Sequence, residues 1–168
     1  MSTGTLQLFA NTEQDFVNSL KMILQDFQAN VLKDGSLFSE VSKEDVDAVF
    51  GAYPALLDFH QELLLQRLAE TQSIPETFDV KTVSEMLHAY RGYIGAYATA
   101  QIKLADLRAE TPAFDALISS AEKETGRDLS ELMGLPITNT KNYVAFLNSY
   151  IHKNKRKSIV KNARGEDD

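Results

Sequence analysis

The chain has 168 residues, a length that fits one compact domain, and 43% of them are hydrophobic, which is enough for a core. It has no cysteine, which excludes disulfides and cysteine-based metal sites, and no apolar run reaches the roughly 20 residues of a membrane-spanning helix. The net charge of −7 argues against nucleic-acid binding by the whole domain, and without a signal-peptide pattern the chain is predicted to be cytoplasmic.

The first third of the chain has the apolar spacing of helices. Asn11 or Thr12 can cap a first helix, whose apolar residues recur at steps of three and four until Asp34-Gly35 ends it. Ser42 is typical of a cap for a short second helix. The stretch Gly51–Pro54 predicts a bend, after which a leucine-rich helix continues.

The middle of the chain predicts a long helix and a shorter one. After a proline-containing loop, Asp79 can cap a helix over residues 80–109. Thr111, followed by Pro112, is typical of the start of the next helix, which ends at Gly126. The predicted apolar stripe of the long helix consists of Val83, Leu87, Tyr90, Ile94, Tyr97, Leu104 and Leu107.

The last part of the chain predicts a short turn over residues 129–132 and a final helix over residues 138–152. No segment shows the period of two that indicates a strand. The predicted fold class is therefore all-α, an elongated helical bundle. The predicted organisation is one helical domain over residues 1–152 and a basic, then acidic, tail over residues 153–168.

The tail contains six cationic residues and no acid until residue 166. Such a run is typical of a solvated, frayed terminus. The alternative is a weak contact with an anionic membrane or with an acidic partner surface. The six cationic residues are Lys153, Lys155, Arg156, Lys157, Lys161 and Arg164.

The residue types predict no catalytic residue, no metal site and no cofactor. The three histidines, His60, His88 and His152, are scattered, and no HExxH spacing or nucleophile signature accompanies them. His60 and His88 are predicted to be partly buried helix residues. The tyrosines of the long helix, predicted to pack in the core with their hydroxyls at its rim, are Tyr90, Tyr93 and Tyr97.

Four segments resemble the Dbl-homology domain of Rho-family guanine nucleotide exchange factors. In that family the first helix opens with a Thr-Glu pair, an aromatic residue, Val and Leu, as in Thr12–Leu20 here. The stretches Val49–His60 and Tyr90–Tyr93 are similar to the middle of the family domain. Pro136–Leu147 lies where the family has Pro-Val-Gln-Arg-Ile-x-Arg-Tyr-x-Leu-Leu-Leu. The resemblance spans about residues 8–152.

The resemblance implies a set of residues that contact a GTPase. Glu13 would hold the first switch segment as a hydrogen-bond acceptor, and the face of Leu135, Thr138, Asn139 and Asn142 would meet the second. At these positions the chain departs from the family, which has Lys before the proline, Gln-Arg at 138–139 and Arg at 142. The alternative for Glu13 is an acid on a solvated first turn, where the helix dipole favours it.

The resemblance therefore implies an exchange factor without covalent chemistry, which remodels the switch regions of a Rho-family small GTPase and releases GDP. The alternative is a non-catalytic interaction module of the same fold that binds a GTPase or another protein partner. The chain is expected to be short at the C-terminus relative to the family. Residues after His152 lack the apolar period of a packed helix, so they are expected to be mobile or a polar helical extension.

Overall fold

The computed structural model describes the backbone of residues 3–163 and the side chains of residues 6–145 and 148. Most of the described residues are helical, and they contain no strand. This confirms the predicted all-α fold. The chain divides into two units, residues 1–133 and residues 134–168.

The chain begins with one long helical run. Helix α1 (Thr3–Met22) passes into a π-helical segment (Ile23–Gln28) and then into α2 (Ala29–Lys33). The predicted start at Asn11 or Thr12 is wrong, because apolar residues upstream of them are also buried and extend the helix towards the N-terminus. The Thr12 hydroxyl instead donates a hydrogen bond of 3.1 Å to the carbonyl of Leu8, one turn earlier.

The predicted stop and the next cap are both confirmed. Asp34 ends the first run, and a 3-10 segment (Gly35–Ser39) follows. Helix α3 (Lys43–Phe50) is capped by Ser42, whose hydroxyl accepts a 3.1 Å hydrogen bond from the backbone N–H of Asp45. This bond satisfies one of the N–H groups that have no partner within the helix.

A second helical run starts after the predicted bend. Helix α4 (Tyr53–Asp58) has Pro54 in its first turn, continues as a π-helical segment (Phe59–Leu64) and ends as α5 (Leu65–Glu70). A single turn of helix, α6 (Ile74–Thr77), lies within the region predicted to be a loop.

The spacing of buried residues explains the π-helical segments. Four buried residues of the second run lie four positions apart, and they are Leu56, His60, Leu64 and Leu68. In a regular α-helix three such steps drift by about 120° around the axis. The wider turn of a π-helix advances less per residue and returns these side chains to one face. The first run has the same spacing at Ile23, Phe27 and Val31.

Helix α7 (Val80–Glu110) begins as predicted, since the Asp79 carboxylate accepts a 2.8 Å hydrogen bond from the N–H of Thr82. Part of its predicted stripe is buried, namely Tyr90, Leu104 and Leu107. Leu87 and Ile94 are exposed, and their prediction as core residues is wrong. The buried face of α7, which includes Tyr90, Tyr93 and Leu104, lies on a different side of the helix from these two residues.

Helix α8 (Pro112–Thr125) ends at Gly126, which has a φ of 68° in the left-handed region that favours glycine. Both the proline at its start and the glycine stop confirm the prediction. The Thr111 side chain makes no capping bond within the described part of the chain, contrary to prediction. Arg108 of α7 donates a 2.6 Å hydrogen bond to Asp115 and so links the two helices.

The last helix differs most from the prediction. Helix α9 (Leu129–Ala163) is continuous, so the predicted separation into a turn at 129–132 and a helix over 138–152 is wrong. The buried face continues through Pro136, which outweighs the hydrogen bond that proline removes from the helix. Residues 153–163 are helical, consistent with the polar extension, and residues 164–168 lie outside the described part. The domain boundary at residue 152 stays a prediction.

Candidate functional site

A chain of three buried polar side chains crosses residues 1–133. Glu13 of α1 pairs with the Nδ1 of His60 in the second π-helical segment, and the His60 Nε2 lies 2.7 Å from the hydroxyl of Tyr90 on α7. Glu13 and His60 are both fully buried. A carboxylate only accepts hydrogen bonds, so the Nδ1–H of His60 donates to Glu13, while the His60 Nε2 and the Tyr90 hydroxyl share a second hydrogen bond.

Aromatic rings surround this polar chain. Phe16 and Phe59 approach the imidazole of His60 edge to face, with ring centroids 4.7 and 4.9 Å away. Buried polar groups are stabilising only when they are hydrogen-bonded, and here each member bonds to the next. The Glu13–His60–Tyr90 chain therefore fixes α1, the second helical run and α7 to one another.

The predicted contact of Glu13 with a GTPase stays a prediction. The other interpretation, an acid on a solvated first turn, is wrong, because Glu13 is fully buried and ten residues into α1. The sequence could not show this, because its partner His60 lies 47 positions away. His60 is buried, as expected of a helix residue, but His88 is exposed, and His152 lies outside the described side chains.

A second polar cluster lies at the carbonyl of Met133. The hydroxyls of Tyr53 and Tyr93 both donate to this oxygen, at 3.0 and 2.6 Å. This oxygen lies in the turn of α9 that precedes Pro136, and the two hydroxyls link α4 and α7 to it. Burial raises the pKa of the Tyr53 hydroxyl far above its usual range, so it remains a donor. The predicted placement of Tyr93 is therefore corrected, since its hydroxyl lies inside the core.

The predicted partner-binding face belongs to residues 134–168. Thr138 and Asn142 are exposed one turn apart on α9, and Leu135 is half-buried on the same face. Asn139 is buried, with only 5% of its surface exposed, so it does not belong to the exposed part of this face. Its amide nitrogen has no hydrogen-bond partner among the described residues. Tyr143 is buried.

Other observations on the described residues limit the kinds of functional site that they can form. Within residues 6–145 and 148, no group of His, Asp and Glu side chains is arranged to hold a metal ion. None of the described helices combines the length and the apolar character needed to cross a membrane. The side chains of the basic tail, including Lys153 and Arg164, lie outside the described part of the chain.

Comparison with known families identifies the family of this chain. A family model described as the RhoGEF domain matches residues 6–161, which include all of the buried polar chain and the exposed face of α9. The chain belongs to the RhoGEF domain family, and the resemblance to the Dbl-homology domain is confirmed. No curated protein matches the chain significantly.

Proposed function

We propose that this protein is a cytoplasmic guanine nucleotide exchange factor for a Rho-family small GTPase. Its membership of the RhoGEF domain family over residues 6–161 carries the proposal. Nucleotide exchange of this kind requires no covalent chemistry. The protein binds the nucleotide-free GTPase more tightly than the GDP-bound form, remodels the switch regions and thereby lowers the affinity for GDP.

The exposed part of the α9 face is the proposed contact with the GTPase. Leu135 offers an apolar side chain, and Thr138 and Asn142 offer short, uncharged hydrogen-bonding groups next to it. The Glu13–His60–Tyr90 chain has a different proposed role. It holds three helices of residues 1–133 in place.

A second function is favoured by two observations. Where the family has charged and longer polar side chains, this chain has Thr138, Asn139 and Asn142, and Asn139 is buried. The carboxylate of Glu13 is buried as well. Short uncharged side chains and a buried carboxylate weaken the electrostatic attraction that this surface can exert on a partner. This favours a non-catalytic module that binds a GTPase or another protein without releasing nucleotide.

Release of fluorescent GDP from a panel of Rho-type GTPases tests the proposal. The protein should accelerate release from at least one of them, and Thr138→Ala/Asn142→Ala should reduce that acceleration with an unchanged melting temperature. Lys141→Ala is the matched control, because Lys141 is exposed on another face of the same helix turn.

The same panel separates the two functions. Binding to a nucleotide-free GTPase without faster GDP release would establish the non-catalytic module. A folded protein that neither binds nor accelerates release from any Rho-type GTPase would rule out exchange activity of this class.

A further inference from the structure

The first helical run ends at an Asp-Gly pair. Asp34 follows α2, and Gly35 opens the 3-10 segment. Gly35 is exposed and Asp34 is half-buried, whereas Val31 before the pair and Leu37 after it are buried. This is the single Asp-Gly pair in the sequence, which has no Asn-Gly pair. The pair is therefore a solvent-accessible link between two buried residues.

An aspartate followed by glycine undergoes a reaction that is much slower at other pairs. The backbone nitrogen of the glycine attacks the Cγ of the protonated aspartate side chain. A C–N bond forms, the C–O bond to the hydroxyl breaks, and the hydroxyl leaves with the amide proton as water. Hydrolysis of this succinimide returns the water and gives either aspartate or isoaspartate. Glycine favours the attack because no Cβ crowds its nitrogen and its backbone turns freely.

The local structure leaves the Asp-Gly pair open to this reaction. No atom beyond its chain neighbours lies within 4 Å of the point where a Cβ of Gly35 would be. Asp34 has a φ of −89° and a ψ of 90°, so its backbone is extended and is not held in a regular helix. Asp15, Asp47 and Asp106, in contrast, lie inside helices, where hydrogen bonds to the backbone resist closure of the ring.

The side chain of Ser36 opposes the reaction. Its hydroxyl donates a 2.6 Å hydrogen bond to the Oδ1 of Asp34, and its backbone N–H donates to the same oxygen at 3.1 Å. The bond from the Ser36 hydroxyl lowers the pKa of Asp34 below its ordinary value of 3.8. Near neutral pH the carboxyl group is therefore ionised, and it lacks the hydroxyl that must leave. The two bonds also hold the oxygen in the turn.

We propose that Asp34–Gly35 is a site of spontaneous aspartate isomerisation and that the Ser36 hydroxyl slows the reaction in the folded protein. Isomerisation inserts the Cβ of Asp34 into the backbone and lengthens the chain between Val31 and Leu37. It also moves the carboxylate away from the N–H that it caps. The isomerised chain should therefore be less stable where the first helical run meets the 3-10 segment.

Methylation by an isoaspartate methyltransferase, with a labelled methyl donor, tests the site. After incubation of the folded protein at neutral pH, label should accumulate in the tryptic peptide that contains residues 34–43. Gly35→Ala should accumulate far less, because its methyl group crowds the attacking nitrogen. This variant should fold normally, since the added Cβ has open space around it. Equal label in the two proteins, or label that is absent from this peptide, would overturn the proposed site.

Three serine variants test the role of the hydroxyl. Ser36→Ala should isomerise several-fold faster than the unmodified chain, and Ser36→Thr, which keeps a hydroxyl, should restore the slow rate. Ser39→Ala is the matched control, because the Ser39 hydroxyl donates to the carbonyl of Ser36 and not to Asp34. It should isomerise like the unmodified chain. An unchanged rate in Ser36→Ala, or an equal gain in Ser39→Ala, would refute protection by the Ser36 hydroxyl.

Discussion

Glu13 and His60 form a pair whose two side chains are completely shielded from solvent, although they belong to separate helical runs of the chain. Taking two polar groups out of water is costly, and the hydrogen bond between them offsets part of that cost. The pair therefore stabilises the domain, and we expect any effect on partner binding to follow from that stability.

Glu13→Ala should destabilise the protein by about 3 kcal/mol, because it leaves the imidazole of His60 buried without its acceptor. Glu13→Gln keeps an oxygen at the same place and should cost about 1 kcal/mol. Urea unfolding measures both. Asp15→Ala, an exposed acid on the same helix, is the control and should change stability little. Equal stability of all three variants would show that the pair does not hold the fold.

Tyr53→Phe and Tyr93→Phe should be strongly coupled, because both hydroxyls donate to the Met133 carbonyl. Each single variant leaves one donor in place and should lose about 1 kcal/mol of stability. The double variant leaves the buried carbonyl without either hydroxyl donor, so its loss should exceed the sum. Thermal unfolding of the four proteins gives the coupling. Additive losses would mean that the two hydroxyls act independently.

Asp79 should make the stability of the protein depend on pH in a defined range. The hydrogen bond from Thr82 lowers the pKa of Asp79 below its ordinary value of 3.8. A lowered folded pKa means that this contribution is complete above the unfolded value and is lost as the pH falls through the folded pKa. The stability difference between the unmodified chain and Asp79→Asn, which keeps a capping oxygen but cannot titrate, should therefore shrink below about pH 4. A difference that is constant down to pH 2 would contradict this.

Asn142→Arg should increase GTPase binding and GDP release. Position 142 is exposed on the proposed face of α9, and the family has Arg there. A guanidinium adds a charge and several donors to a surface that now has only an uncharged amide. Lys141→Arg is the control for added guanidinium on the same turn. Faster release with the control but not with Asn142→Arg would place the GTPase contact elsewhere.

The sequence predicted well the residues that cap or end several of the helices. Ser42 and Asp79 cap helices because their side-chain oxygens accept from an N–H three residues later, and Gly126 ends one because it tolerates a positive φ. Thr12 has the same chemistry but lies mid-helix, since burial of upstream apolar residues outweighs a weak capping preference. Capping residues are thus informative only where the apolar pattern also stops.

Tertiary pairing was the part that the sequence did not predict. Leu87 and Ile94 have the spacing of core residues, and nothing local shows that α7 buries a different face. Glu13 pairs with His60, and the hydroxyls of Tyr53 and Tyr93 donate to the carbonyl of Met133. These contacts join positions between 40 and 80 residues apart, which periodicity does not detect.

The π-helical segment Phe59–Leu64 has a consequence for chain length. Its wider turn absorbs residues that a regular helix would carry around the axis. Removal of one residue there would let the segment close into ordinary α-helix and would leave the helix on either side of it facing as before. Leu56 and Leu68 would then be eleven residues apart, which at about 100° per residue is within roughly 20° of three full turns. In this part of the protein a single deletion that spares His60 is therefore less damaging than a deletion in a regular helix, where every side chain beyond it would rotate by about 100°.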